Sequence, residues 1–146
     1  MTDKIDTLKN LEKIAHHKVE DVQKELTQTL SAQAHLATRI SATEQQILQE
    51  EDALAEDIHM RSYFEQFEKR CREKITKLEE EIQTLQQHEA YLRAQLADHF
   101  AEEKRYQILL QRKQEELKKE KDKKNQAQMD EIAATRQALK AFDVSS

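Results

Sequence analysis

Between Phe64 and Leu117, apolar residues recur at a spacing of seven, in two interleaved sets. The first set consists of Phe64, Cys71, Leu78, Leu85, Leu92, His99 and Tyr106. The second set consists of Ile75, Ile82, Glu89, Leu96, Glu103, Leu110 and Leu117. Because the combined spacing alternates between three and four, these positions form one narrow seam on a helix. A seven-residue repeat sustained over this length predicts a left-handed supercoil against another helix.

A second seam with the same spacing precedes the first along the chain. Its apolar members are Ile5, Leu8, Ala15, Val19, Val22, Leu26, Leu36, Ile40, Ile47 and Leu54. Thr29, Gln33 and Thr43 occupy intervening positions as weaker members. The apolar residues that lie beside this seam are Leu11, Ile14, Leu30 and Ala37. They broaden the predicted apolar face of the helix in places.

The seam lapses between residues 50 and 61, where Glu50, Asp57 and Arg61 place charges at three of four seam positions. Ser62 and Glu65 follow with the Ser-x-x-Glu spacing of a capping box, which predicts a helix start there. The seven-residue frame nevertheless continues through this region without a phase shift, and no Gly or Pro marks a turn. A single unbroken helix therefore remains an alternative to a turn.

The two seams have matching lengths, so folding the chain at residue 59 pairs Leu54 with Phe64 and Leu8 with Leu110. We predict an all-α fold, a long antiparallel two-helix coiled-coil hairpin whose second helix is longer and projects. The chain forms a single coiled-coil domain over 1–146. The predicted elements are helix one at about 3–55, with N-cap oxygens from Thr2 and Asp3, a turn at about 56–61, and helix two at about 62–140. The alternative is a parallel homodimeric rod, roughly 200 Å long at 1.5 Å per residue.

The amino-acid composition argues against several classes of function. The chain has no Gly, Pro or Trp, and 36% of its residues are charged. Its core is a stripe between helices, which leaves no interior for a substrate pocket, so we expect neither an enzyme, a small-molecule substrate nor a cofactor. The net charge of −5 argues against nucleic-acid binding. No long apolar run or apolar signal core is present, and we expect a cytoplasmic protein.

Candidate metal and cysteine chemistry is sparse. Glu56 and His59 have the Glu-x-x-His spacing of helical metal sites, but such sites need the motif twice. His16 and His17 diverge on a helix, so we expect no metal site. Cys71 occupies a seam position, which predicts a small buried thiol in preference to a redox role.

Two segments outside the seams suggest partner binding. Residues 112–124 hold seven basic and four acidic residues and predict a solvated helix beyond the seam. An apolar stripe follows, here called the C-terminal stripe, made up of Met129, Ile132, Ala133, Leu139 and Phe142. This stripe is expected either to bind a partner protein or to pack weakly against the rest of the same chain. An aromatic cluster lies at the turn beside Met60 and consists of Tyr63, Phe64 and Phe67. We expect it either to bind a partner protein or to cover the end of the hairpin.

These features together resemble FliJ, the family of soluble stalk proteins of the bacterial flagellar export apparatus. The resemblance spans the chain and is most specific from Gln126 to Arg136, which is similar to the family's Met/Leu-Asp-Glu-Ile/Phe-Ala ending. It implies a fold similar to the central stalk of rotary ATPases. It also implies three partners: the export ATPase ring, the cytoplasmic domain of the membrane export gate, and export chaperones. Through these proteins the chain would lie peripherally on the inner membrane.

The resemblance also implies where these partners bind. The ATPase-facing residues would be Leu8, Leu11, Lys124, Gln126, Met129, Asp130, Ile132 and Arg136. The gate-facing tip would be formed by Tyr63, Phe64 and Phe67. The stalk of a virulence type III secretion system remains an alternative, as does a parallel dimeric structural rod.

Overall fold

Two long helices form because the chain lacks Gly and Pro and is rich in strong helix formers. The computed structural model describes residues 2–145. Helix α1 spans Thr2–Leu54, a 3-10 turn spans Ile58–Met60, and helix α2 spans Arg61–Ser145. The first helix was predicted to end at about 55 and the second to begin at about 62, so each boundary at the turn differs by one residue from the observed one. The second helix was predicted to end at about 140, and α2 continues beyond that residue. The side chain of Thr2, proposed as an N-cap, lies outside the described residues.

Helix α1 packs on α2 of the same chain, so the predicted antiparallel hairpin is confirmed. Contacts divide the chain into two compact units, one of Met1–Ala15 with Ala101–Ser146 and one of His16–Phe100. In the second unit, Val22 and Leu26 of α1 form a buried cluster with Leu92 of α2. Seam residues of α1 therefore pack against a seam residue of α2 in this unit. The chain is divided into two helices at the turn, whereas the parallel rod requires one continuous helix.

Nearer the turn, a second buried cluster also contains residues of both helices, and its pairing shows that the helices are antiparallel: a later residue of α1 meets earlier residues of α2. Ile47 of α1 packs there with Cys71 and Ile75 of α2. In the unit of the helix ends, Ile5 is buried and Leu8 lines a groove together with Leu109. Leu109 is the neighbour of Leu110, the residue expected opposite Leu8, so the observed register is close to folding at residue 59.

Burial follows the seven-residue spacing along both helices. Every seam residue of α1 named above is buried or half-buried, and so is every seam residue of α2 from Phe64 to Leu110. Leu117 is 37% exposed. Three residues expected to broaden the face of α1, Ile14, Leu30 and Ala37, are exposed instead. A seam between only two helices is narrow, so flanking positions remain in solvent.

Polar seam positions are satisfied by specific hydrogen bonds. The hydroxyls of buried Thr29 and Thr43 donate to backbone carbonyls four residues earlier, at 2.9 and 2.8 Å. Gln33 Nε2 donates across the seam to Glu89 Oε1 at 3.0 Å. Glu89 also accepts from Arg93 Nε at 2.9 Å. The hydrogen bond from Arg93 has the larger effect and the one from Gln33 the smaller, and together they hold the pKa of Glu89 below its ordinary value.

The turn is capped by a residue other than the predicted one. Asp57 has an extended backbone, and its carboxylate accepts from the amide of His59 at 3.0 Å. The 3-10 turn then runs directly into α2, whose first residue Arg61 already has helical dihedrals. Ser62 lies inside the helix, and a helical residue cannot take the extended conformation of an N-cap. The predicted Ser62–Glu65 capping box is therefore wrong, and the cap lies five residues earlier.

Candidate functional site

The aromatic cluster after the turn divides between the seam and the surface. Phe64 and Phe67 are half-buried and pack against the cluster of Ile47, Cys71 and Ile75. Tyr63 is 49% exposed. Phe67 was expected off the seam, and this is corrected: it packs against the buried cluster. It lies three residues after Phe64 and four before Cys71, so it shares a helix face with these two seam residues. Of the three predicted anchors, Tyr63 alone is an exposed residue.

An exposed isoleucine was missed by the sequence reasoning. Ile58 is 85% exposed, and Met60 beside it is 36% exposed. Both lie in the 3-10 turn, none of whose residues is buried. The signal available in the sequence was an isoleucine off the seven-residue spacing, between Asp57 and His59. With Tyr63, three side chains with apolar surface are therefore exposed at or next to the turn.

These exposed side chains lie within an acidic segment. Residues 50–68, here called the turn surface, contain seven acidic residues and one arginine, a net charge of −6 with histidine neutral. The rest of the chain holds 23 basic and 22 acidic residues. An open groove of about 440 Å³ lies on the turn surface. Its lining residues are Glu51, Leu54, Ala55, Asp57, Ile58, Arg61, Phe64, Glu65 and Glu68.

A second groove lies in the unit that contains the helix ends. It has a volume of about 420 Å³ and is lined mainly by apolar surface. Its lining residues are Asp3, Lys4, Thr7, Leu8, Leu109 and Lys113. Leu8 and Leu11, both expected to face a partner, are half-buried. Leu8 therefore contributes to the wall of a groove, and Leu11 presents part of its side chain.

Beyond Lys113, α2 presents all of its described side chains to solvent. Every residue from Gln114 to Asp143 is exposed. Met129 is 67% exposed, Ile132 55% and Leu139 61%. At about 100° per residue, these three side chains fall within about 80° of the helix surface. The helix thus carries an exposed apolar face on a long segment that does not pack in the seam.

The predicted polar members of this segment lie around that face. Lys124, Gln126, Asp130 and Arg136 are all exposed. Gln126 Nε2 donates to Asp130 Oδ1 at 3.1 Å, an i,i+4 contact along the helix. Arg136 lies within the arc between Met129 and Leu139, so a guanidinium divides the apolar face. Such a face, apolar with one internal cation, suits a partner that supplies both an apolar contact and an acceptor.

The described residues contain no group of three or more His, Cys, Asp or Glu side chains that could hold a metal ion. Glu56 and His59 are both exposed at the turn. Cys71 is a free, buried thiol, as its seam position predicted. Within residues 2–145, no helical stretch is both long and apolar enough to cross a membrane.

Searches against protein-family models, curated proteins and solved structures found no match to this chain.

Proposed function

We propose that this chain is a non-enzymatic coiled-coil stalk of the flagellar type III protein export apparatus. In this role it links the export ATPase ring to the cytoplasmic domain of the export gate and binds export chaperones. It lies in the cytoplasm, held peripherally at the inner membrane by those proteins. The resemblance of the residues from Gln126 to Arg136 to the FliJ ending supports the choice of this family, and the exposed apolar side chains on a long helix support a linker.

The observation that carries the proposal is the exposed apolar face of α2 beyond Lys113. Met129, Ile132 and Leu139 each leave more than half of their surface in water. Burying such side chains stabilises a complex by roughly 1.5 to 3 kcal/mol each. A long amphipathic helix with that face matches the helix-in-groove mode of recognition. Exposed apolar side chains also lie at or next to the turn, so the chain offers two surfaces to different proteins.

The test is equilibrium binding of the purified chain to the purified export ATPase of the same organism. The double variant Met129→Ser/Ile132→Ser should bind at least about tenfold more weakly, because two apolar contacts are lost and each 1.4 kcal/mol is a factor of ten. The matched control is Ala127→Ser/Ala134→Ser, which makes the same exchange for serine on the opposite side of the same segment. We expect the control to bind as the wild type does.

Circular dichroism of each variant checks that the helix content is unchanged. If the wild-type chain does not bind the ATPase, or if both double variants lose affinity equally, the proposal is wrong. Binding to the ATPase of a virulence secretion system in preference to the flagellar one would instead support the alternative stalk. Competition between the two ATPases for one labelled chain distinguishes these cases.

A further inference from the structure

The turn surface has a composition that differs from the rest of the molecule. Five of its seven acidic residues are exposed, and Glu50 and Glu68 are half-buried. The lining of its groove includes the apolar residues Leu54, Ile58 and Phe64 and four carboxylates. A groove lined by both apolar side chains and carboxylates is the complement of an apolar side chain flanked by cations.

The groove is bordered by the last turn of α1, the short link 55–57, the 3-10 turn and the first two turns of α2. None of the lining residues lies in a β-strand, so no strand edge offers main-chain hydrogen bonds to an extended peptide. Recognition at such a surface depends on side chains, as when an amphipathic helix docks into a groove. This geometry favours a helical ligand over an extended one.

The charged residues of the groove determine which net charge of the ligand is favoured. Glu51 and Glu65 lie on opposite helices at the groove, and both are exposed. Arg61 is the single cation in the lining, with its Nε 4.0 Å from Glu65 Oε1. One arginine against four lining carboxylates leaves a negative potential, which attracts basic partners and repels acidic ones.

We infer that the groove of the turn surface is a docking site for a basic amphipathic helix, with an apolar residue of the partner seated against Leu54, Ile58 and Phe64. Lysines or arginines flanking that residue lie against Glu51 and Glu65. The inference goes beyond the proposed function because it specifies the chemistry of a partner whatever machine the chain serves.

The test uses a fluorescein-labelled synthetic 18-residue amphipathic helix with leucines on one face and lysines on both flanks. Its binding to the full chain is measured by fluorescence polarisation at 150 mM salt. The comparison peptide replaces every lysine with glutamate. We expect the basic peptide to bind, the acidic peptide not to bind, and the affinity of the basic peptide to fall as salt is raised.

Three variants locate the binding to the groove. Glu51→Lys/Glu65→Lys should weaken binding of the basic peptide about tenfold or more, because two attractive contacts become repulsive. Ile58→Ser should weaken binding through loss of an apolar contact. Arg61→Gln should tighten it, because it removes the like charge from the groove.

The matched control is Glu79→Lys/Glu80→Lys, which makes the same charge change at exposed positions of α2 away from the groove. It should change the affinity less than about twofold. Equal losses in the two charge-reversed variants would overturn the inference, since binding would then reflect net charge alone. Failure of the basic peptide to bind would also overturn it.

The competing occupant is the basic segment 112–124 of a second copy of this chain. Sedimentation of the chain alone at several concentrations tests that case. Self-association that Glu51→Lys/Glu65→Lys abolishes would overturn the inference by making a second copy the ligand. Because the probe is a synthetic peptide, failure here leaves the ATPase result of the proposed function unaffected, and the two outcomes can be distinguished.

Discussion

Replacing Leu92 with alanine should destabilise the hairpin by about 3 kcal/mol. Leu92 is 1% exposed and packs between Val22 and Leu26 across the seam. The substitution removes three carbon groups, at about 0.8 kcal/mol each when fully buried. The cavity left behind adds a further cost, which is limited because side chains of a two-helix seam can partly collapse into it.

The matched control is the same substitution at an exposed leucine in the same unit. Leu48 is 53% exposed, so Leu48→Ala removes less buried surface and gains a little from the higher helix propensity of alanine. We expect a loss of less than about 1 kcal/mol there. Urea unfolding monitored by circular dichroism at 222 nm gives both values, with equal m-values indicating the same folded state.

The result that would refute this reasoning is equal destabilisation by the two alanines, or no destabilisation by Leu92→Ala. Either outcome would mean that the seam between α1 and α2 does not carry the stability of the hairpin. A concentration-dependent midpoint would also contradict it, because an intramolecular seam gives a midpoint that is independent of concentration.

Three further predictions follow from the seam and the turn. Because the pKa of Glu89 is lowered in the folded chain, its ionised form contributes stability above the ordinary pKa of a glutamate, and this stability is lost as the pH falls through the folded-state pKa. Glu89→Gln should therefore flatten the acid limb of a profile of melting temperature against pH. Asp57→Ala removes the acceptor of the His59 amide and should cost about 1 kcal/mol in urea unfolding. Cys71, 8% exposed, should react with a thiol reagent slowly in the folded chain and quickly in urea.

Each of these has a contradicting result. An unchanged acid limb in Glu89→Gln would show that the cross-seam contact with Gln33 and the Arg93 pair do not favour the ionised form. An Asp57→Ala variant as stable as the wild type would mean that the carboxylate does not cap the turn. Rapid modification of Cys71, or its cross-linking to a second copy on mild oxidation, would place the thiol outside an intramolecular seam.

The seven-residue spacing predicted the fold because it encodes which face of each helix is buried. A position such as Leu92 must meet another helix, and the equal seam lengths indicated that the partner lies in the same chain. The predicted turn was close because charges at Glu50 and Asp57 interrupt the seam. The cap was misplaced because Ser62 and Glu65 match the spacing of a capping box. The position of the actual cap, Asp57, depends on where α1 ends, and the spacing does not report that.

The candidate surfaces were less predictable than the seam. Phe67 was placed off the seam because it belongs to neither seven-residue set, although it shares a helix face with Phe64 and Cys71 and packs against the buried cluster. Ile58 was overlooked because a residue in a turn has no periodic position. The exposed face of Met129, Ile132 and Leu139 was visible in the sequence, since a helix that continues past its partner still displays a 3.6-residue stripe.

The most direct test of the proposed linker role is whether one chain can hold two proteins at once. The measurement is sedimentation of the purified export ATPase and the cytoplasmic domain of the export gate, with and without the chain. We expect a ternary complex that forms only when the chain is present and is lost with Met129→Ser/Ile132→Ser. Mutually exclusive binding of the two proteins, or binding of neither, would contradict the account.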